Sequence, residues 1–162
     1  MWNLLLLWLV LAVPGGPPTG SIAGTIELPT NVKITKPAQI VLFSGEYVDF
    51  YQAEVQKRVD TYWEDYKPAF IQEKEAFVLF RERAKVQAFE LTLNRMRMDD
   101  PRKAAGFILT SSNGSFEFHG VPHGECRVVA RITVGNQELI LSEPVILTDE
   151  APPLVILKPT TP

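Results

Sequence analysis

The chain has 162 residues, 46% of them hydrophobic and 22% charged, an ordinary globular composition with room for one domain and an elaboration. Its formal charge is −3 and its basic residues are interleaved with acidic ones through the middle of the chain, so no basic field is present to attract nucleic acid. Cys126 is the only cysteine, which excludes an intrachain disulfide, a zinc ribbon and a paired-cysteine redox site.

In chain order, residues 2–13 form an apolar run that ends at Pro14-Gly-Gly-Pro-Pro-Thr-Gly20. The run is shorter than the ~20 apolar residues that cross a bilayer and matches the hydrophobic core of a secretory signal. Residues 1–19 are therefore expected to be a signal peptide and Pro/Gly linker, and the only membrane contact is through that signal. An exported chain with one cysteine suits a bacterial envelope: periplasm, cell surface or secreted.

Ser21-Ile-Ala-Gly-Thr-Ile-Glu-Leu28 alternates apolar with polar side chains, the mark of a half-buried strand, and Gly24 inside it predicts a bulge or a close backbone approach. Ala38-Gln-Ile-Val-Leu-Phe43 continues a core face with Ala38, Ile40 and Leu42. Val41 and Phe43 are apolar on the opposite face, so a cover over that face is expected. From 45 to 105 the period changes from 2 to 3.6. Val48, Tyr51, Val55, Val59, Tyr62 and Tyr66 form one series, and Phe77, Phe80, Ala84, Ala88 and Leu91 a second. A further row in the second helix, Ile71, Val78, Val86, Phe89, Leu93 and Met96, gives it a face for the sandwich as well as one for its partner helix. Pro68 marks the junction, with the first helix ending near Tyr66, because proline is tolerated in a first turn and damaging inside a helix. Asp99-Asp-Pro-Arg-Lys103 then reads as a helix stop.

Residues 106–110 read as a short buried strand, and Asn113-Gly114 as the positive-φ part of a tight turn. Gly114-Ser-Phe-Glu-Phe-His-Gly-Val-Pro-His-Gly124 and the row Cys126, Val128, Ala130, Ile132, Val134 form two strands around a glycine-punctuated corner. Gly135-Asn136 turns into 137–147, and Leu154-Val-Ile-Leu157 is the last strand before a 159–162 tail. Seven short strands separated by turn signals indicate a β-sandwich.

His119, His123 and Cys126 are the residues whose chemistry and spacing approach a zinc set. Alternation turns His119 outward and Cys126 inward and leaves His123 in the corner, so no metal site is expected and Cys126 reads as a small core residue. No carboxylate spacing predicts a general acid/base pair. No catalytic, cofactor-binding or metal-ligating residue is expected. The four tyrosines and the one tryptophan beyond the signal are concentrated in the helical segment. Tyr47, Tyr51, Tyr62, Trp63 and Tyr66 either seal the helices onto the face carrying Val41 and Phe43 or form an exposed strip for a partner.

The pattern Gly20, Ile22, Gly24, Ile26, then Ala38, Ile40, Leu42, then Thr110, Gly114, Phe116, Phe118, Val121, Pro122 and Gly124 resembles the carboxypeptidase regulatory-like domain, a transthyretin-like (prealbumin-like) sandwich. The specific part is Gly-x-Phe-x-Phe-x-x-Val-Pro-x-Gly. Two features depart from the family: Cys126 where an aromatic is usual, and the helical insertion. The resemblance implies a mainly β, seven-stranded sandwich over residues 20–158, into which the helical period inserts a long helical hairpin, 45–105, between the second and third strands. It also implies a non-catalytic module of exported or surface proteins, with a fold similar to carbohydrate-binding sandwiches. The expected partners are an envelope protein or a second copy docked on the hairpin, with a glycan as the alternative.

Overall fold

The computed structural model of the protein describes residues 18–149 and 153–159. The apolar run 2–13, most of the linker, and residues 160–162 of the tail lie outside the described residues. The strands are β1 (Thr19–Ile26), β2 (Lys36–Ser44), β3 (Ile108–Ser111), β4 (Ser115–Pro122), β5 (Gly124–Val134), β6 (Gln137–Leu147) and β7 (Leu154–Leu157), and the helices α1 (Glu46–Gln72), α2 (Lys74–Asp99) and α3 (Pro101–Gly106). They form a three-stranded sheet in the order β4-β1-β7 and a four-stranded sheet in the order β3-β2-β5-β6. All neighbours are antiparallel except β1 and β7. Helices hold 42% of the described residues, so the chain is a mixed helix and sheet protein and not mainly β. The hairpin elements are long, whereas the strands are short.

Alternation sets the core. Ile22 of β1, Ile40 and Leu42 of β2, Phe118 and Val121 of β4, and Cys126, Val128, Ala130 and Ile132 of β5 belong to one buried apolar cluster. Gly24 is required by a close approach: a Cβ there would strike the Val155 carbonyl oxygen and the Phe116 ring. The irregular pairing of β1 lies elsewhere, between Gly20 and Ile22. Gly114 carries the positive φ of the β3–β4 turn, 81°, which non-glycine residues rarely adopt. Asn113 does not share that conformation. Its side-chain Oδ1 accepts hydrogen bonds from Ser115 N and Ser111 Oγ, each at 3.0 Å, and closes the turn from outside the backbone.

The cover over Val41 and Phe43 is the helical hairpin. Both side chains are fully buried, and the Phe43 ring meets Tyr51 of α1 at 5.6 Å and Phe89 of α2 at 6.0 Å. Arg131 of β5 is ion-paired with Glu90 of α2 and stands 5.8 Å from the Phe89 ring, which adds a polar clamp on the same face. At 27 residues, α1 is about 40 Å long, and α2 returns antiparallel beside it.

Two expectations are corrected. Pro68 does not end the first helix: α1 runs on to Gln72, Ile71 belongs to it, and the chain reverses at Glu73 alone, with φ −124° and ψ 87°. The extra turn carries Phe70 into a cluster of rings, and that burial offsets the hydrogen bond that proline removes. Asp99–Lys103 is not only a stop. Asp100 Oδ1 accepts from Arg102 N and Lys103 N at 3.1 and 3.0 Å, Pro101 occupies the first turn, and a new helix, α3, begins.

Candidate functional site

The hairpin divides into a root that is part of the protein core and a far half that is not. At the root, Tyr47 and Tyr51 are buried against the sheet, as a sealing role requires. Tyr47 Oη donates to Asp99 Oδ2 at 3.3 Å, and burial together with that carboxylate pushes the phenol above its ordinary pKa. Tyr51 is raised further, chiefly by burial, with the nearby Arg127 charge acting in the opposite direction. Arg95 ties the two helices at this level, reaching Glu46 at 3.4 Å and Asp99 at 3.5 Å with its guanidinium 4.6 Å from the Phe50 ring.

In the far half Phe70 is the centre. It is 4% exposed, lies outside the apolar cluster of the sandwich, and is surrounded by Trp63, Tyr66, Phe77 and Phe80 at centroid distances of 6.2, 6.2, 5.3 and 5.2 Å. Tyr62 is half-buried, packs edge-on to Phe80 at 5.0 Å and donates to Gln87 Oε1 at 2.8 Å. The rim of this cluster is open to solvent: Trp63 is 37% exposed, Tyr66 46%, Ile71 65%, Val78 38% and Leu79 60%. A groove of about 310 Å³ runs beside α2, lined by Leu79, Arg83 and Val86 on the helix and by Leu139 and its neighbours on β6.

The five aromatic residues picked out in the sequence therefore take three roles. Tyr47 and Tyr51 seal the root, Tyr62 joins the helices, and Trp63 and Tyr66 are presented outward. Sequence reasoning missed Phe70 as the centre and Ile71 and Leu79 as the exposed rim. The signal that locates the cluster is the position of Phe70 just before the reversal at Glu73 and of Phe77 and Phe80, spaced i, i+3 on one face of α2, just after it.

His119, His123 and Cys126 do not converge. His119 is exposed on β4, with Nδ1 at 3.1 Å from Ser21 Oγ and Nε2 at 3.6 Å from Glu117 Oε1. His123 Nδ1 lies 3.3 Å from Asp149 Oδ1 at the corner. Cys126 is buried in the sandwich, its thiol donates to the Val145 carbonyl at 3.5 Å, and burial pushes its pKa up to about 11, which leaves it a poor nucleophile. The strand residues Phe43, Phe116 and Phe118 are all buried, so the strands present no phenylalanine, tyrosine or tryptophan ring to solvent among the described residues. No described helix is long and apolar enough to cross a membrane.

Comparison of the chain with protein-family models, curated proteins and solved structures returns no match.

Proposed function

We propose that the protein is a non-catalytic structural or interaction module of the cell envelope, exported by its N-terminal apolar run, in which a transthyretin-like sandwich holds a helical hairpin as a docking element. The observation that carries this reading is the far half of the hairpin, where Trp63, Tyr66, Ile71 and Leu79 remain exposed around a cluster whose own centre is already sealed. A hairpin that acted only as a lid needs its root, which covers Val41 and Phe43. The lid role leaves the outer rings without a purpose. Tryptophan and tyrosine with nearby aliphatic side chains are the composition of interface anchors.

The family resemblance supports the export and scaffold parts of the reading. Its specific motif, Gly114 to Gly124, forms β4 and the corner into β5, and the two sheets meet over Phe118 and Val121. A glycan platform has less support, since the strand rings are buried and only Trp63 and Tyr66 remain for stacking.

The test is affinity capture from an envelope extract with the complete chain and with a Trp63→Ser, Ile71→Ser variant, both checked for folding by circular dichroism. Retention of a discrete protein by the unsubstituted chain alone is the expected result. Equal retention by both removes the tip as the docking element, and binding of oligosaccharide without any protein moves the reading to a glycan module.

A further inference from the structure

Resting on the docking reading, we infer that the occupant of the hairpin tip is the tip of a second copy of this chain, held by opposite charges on the two helices. Tyr62 touches both Phe80 and Gln87, and Trp63 touches Phe77, so residues 60–65 of α1 are level with residues 77–87 of α2. On α1 the exposed Trp63 has Asp60 one turn before it and Glu64 directly after it. On α2 the exposed Val78 and Leu79 have Arg81 and Arg83 one turn after them. None of these four charged side chains makes a salt bridge among the described residues, and Asp60 accepts a hydrogen bond from Gln56 of its own helix at 2.7 Å.

Two hairpins laid tip beside tip, α1 of one along α2 of the other, bring the carboxylates of the first to the guanidiniums of the second at one height. The same contact buries Trp63 against Leu79, Val86 and the groove beside them. This is the arrangement of a helical interface with an apolar seam and flanking charges that choose the partner and its orientation. The opposite charges on these surfaces are partnered within the chain or sit where the helix favours them: Lys67 is held 5.9 Å from the Trp63 ring, Glu82, which lines the groove between Arg81 and Arg83, is paired with Lys85 at 2.6 Å, Glu138 on the β6 side of the groove lies 4.0 Å from Arg131, and Glu75 sits in the first turn of α2, where a helix favours an anion. A second copy supplies both halves of the match without any further partner.

The experiment is sedimentation equilibrium on the complete chain and on two charge-reversed forms, Asp60→Lys with Glu64→Lys, and Arg81→Glu with Arg83→Glu. These side chains are surface groups, and unchanged circular dichroism and melting establish that each form folds. The unsubstituted chain is expected to associate to at least twice its own mass, more weakly as salt is raised. Each reversed form alone is expected to associate at least about tenfold more weakly, because every attraction becomes a repulsion. An equimolar mixture of the two forms regains the unsubstituted affinity, since the basic α1 of one now faces the acidic α2 of the other. A monomeric unsubstituted chain at ~100 μM, a concentration that detects any association tighter than about 6 kcal/mol, overturns the inference. Reversed forms that associate undiminished, or a mixture that does not recover, overturn it as well. Envelope-protein capture that still depends on Trp63 and Ile71 in a monomeric chain would leave the docking reading standing while this inference falls.

Discussion

Replacing Phe70 by alanine tests whether the far half of the hairpin is a unit separate from the sandwich. Phe70 is 4% exposed and touches four rings, and truncating a buried phenylalanine costs about 3–5 kcal/mol. The lower end applies here, because Trp63 and Tyr66 are partly in solvent and can close over the space. Since the cluster lies outside the sandwich core, the loss falls on local opening of the tip. Native-state hydrogen exchange is expected to show amides of about residues 62–80 losing on the order of 100-fold protection, the equivalent of about 2.7 kcal/mol. Amides of β2 and β5 should change by less than about fivefold, that is, by under ~1 kcal/mol. Equal loss of protection across the sheet and the tip would refute the separation of the two units, and no loss at the tip would refute the sealed cluster.

Gly24→Ala should be among the most damaging small substitutions, since the added methyl meets a backbone carbonyl and a packed ring; a loss of about 3 kcal/mol, the upper part of the overpacking range, is expected from urea denaturation. Asp100→Ala removes the cap that starts α3 and should cost about 1 kcal/mol, with exchange rising at Arg102 and Lys103 N–H, and Asp100→Asn should restore most of it. Cys126 holds its proton in the folded protein up to about pH 11, whereas the unfolded thiol loses it near 9. Its contribution is therefore constant below pH 9 and falls as pH rises from 9 to 11. The expected loss is about 2 kcal/mol of alkaline stability, measured as the difference between the wild type and Cys126→Ala denaturation midpoints over that window. A thiol reagent at pH 8 should leave the native chain unmodified and react on addition of urea, and rapid native labelling would contradict the buried position of the side chain.

Local pattern alone was enough to announce the strands and the helices, although the strand expected at 106–110 lies at Ile108–Ser111, because Gly106 ends α3. Alternation in 21–28, 38–43, 114–124 and 126–134 reports which side chains face a core, because a strand repeats every two residues wherever it is placed. The same alternation separated His119 from Cys126 and identified Val41 and Phe43 as needing a cover. The helical period of 45–105 was equally legible, since it too is a property of neighbouring residues.

What covers what was decided only in three dimensions. A proline costs about 3 kcal/mol inside a helix by local reckoning, which placed the reversal at Pro68. Phe70 meets Phe77 and Phe80 only after α2 has folded back, so the burial that carries the helix through Pro68 to Glu73 depends on residues the local window does not contain. The division of the aromatic residues has the same origin. Tyr47 and Tyr51 look like Tyr62 and Tyr66 in their spacing, but the first pair belongs to the main apolar cluster, with Tyr51 against Phe43, and the second lies beyond it. Periodicity states that a helix has an apolar face; only packing against a sheet of finite width determines where along the helix that face is covered and where it remains open.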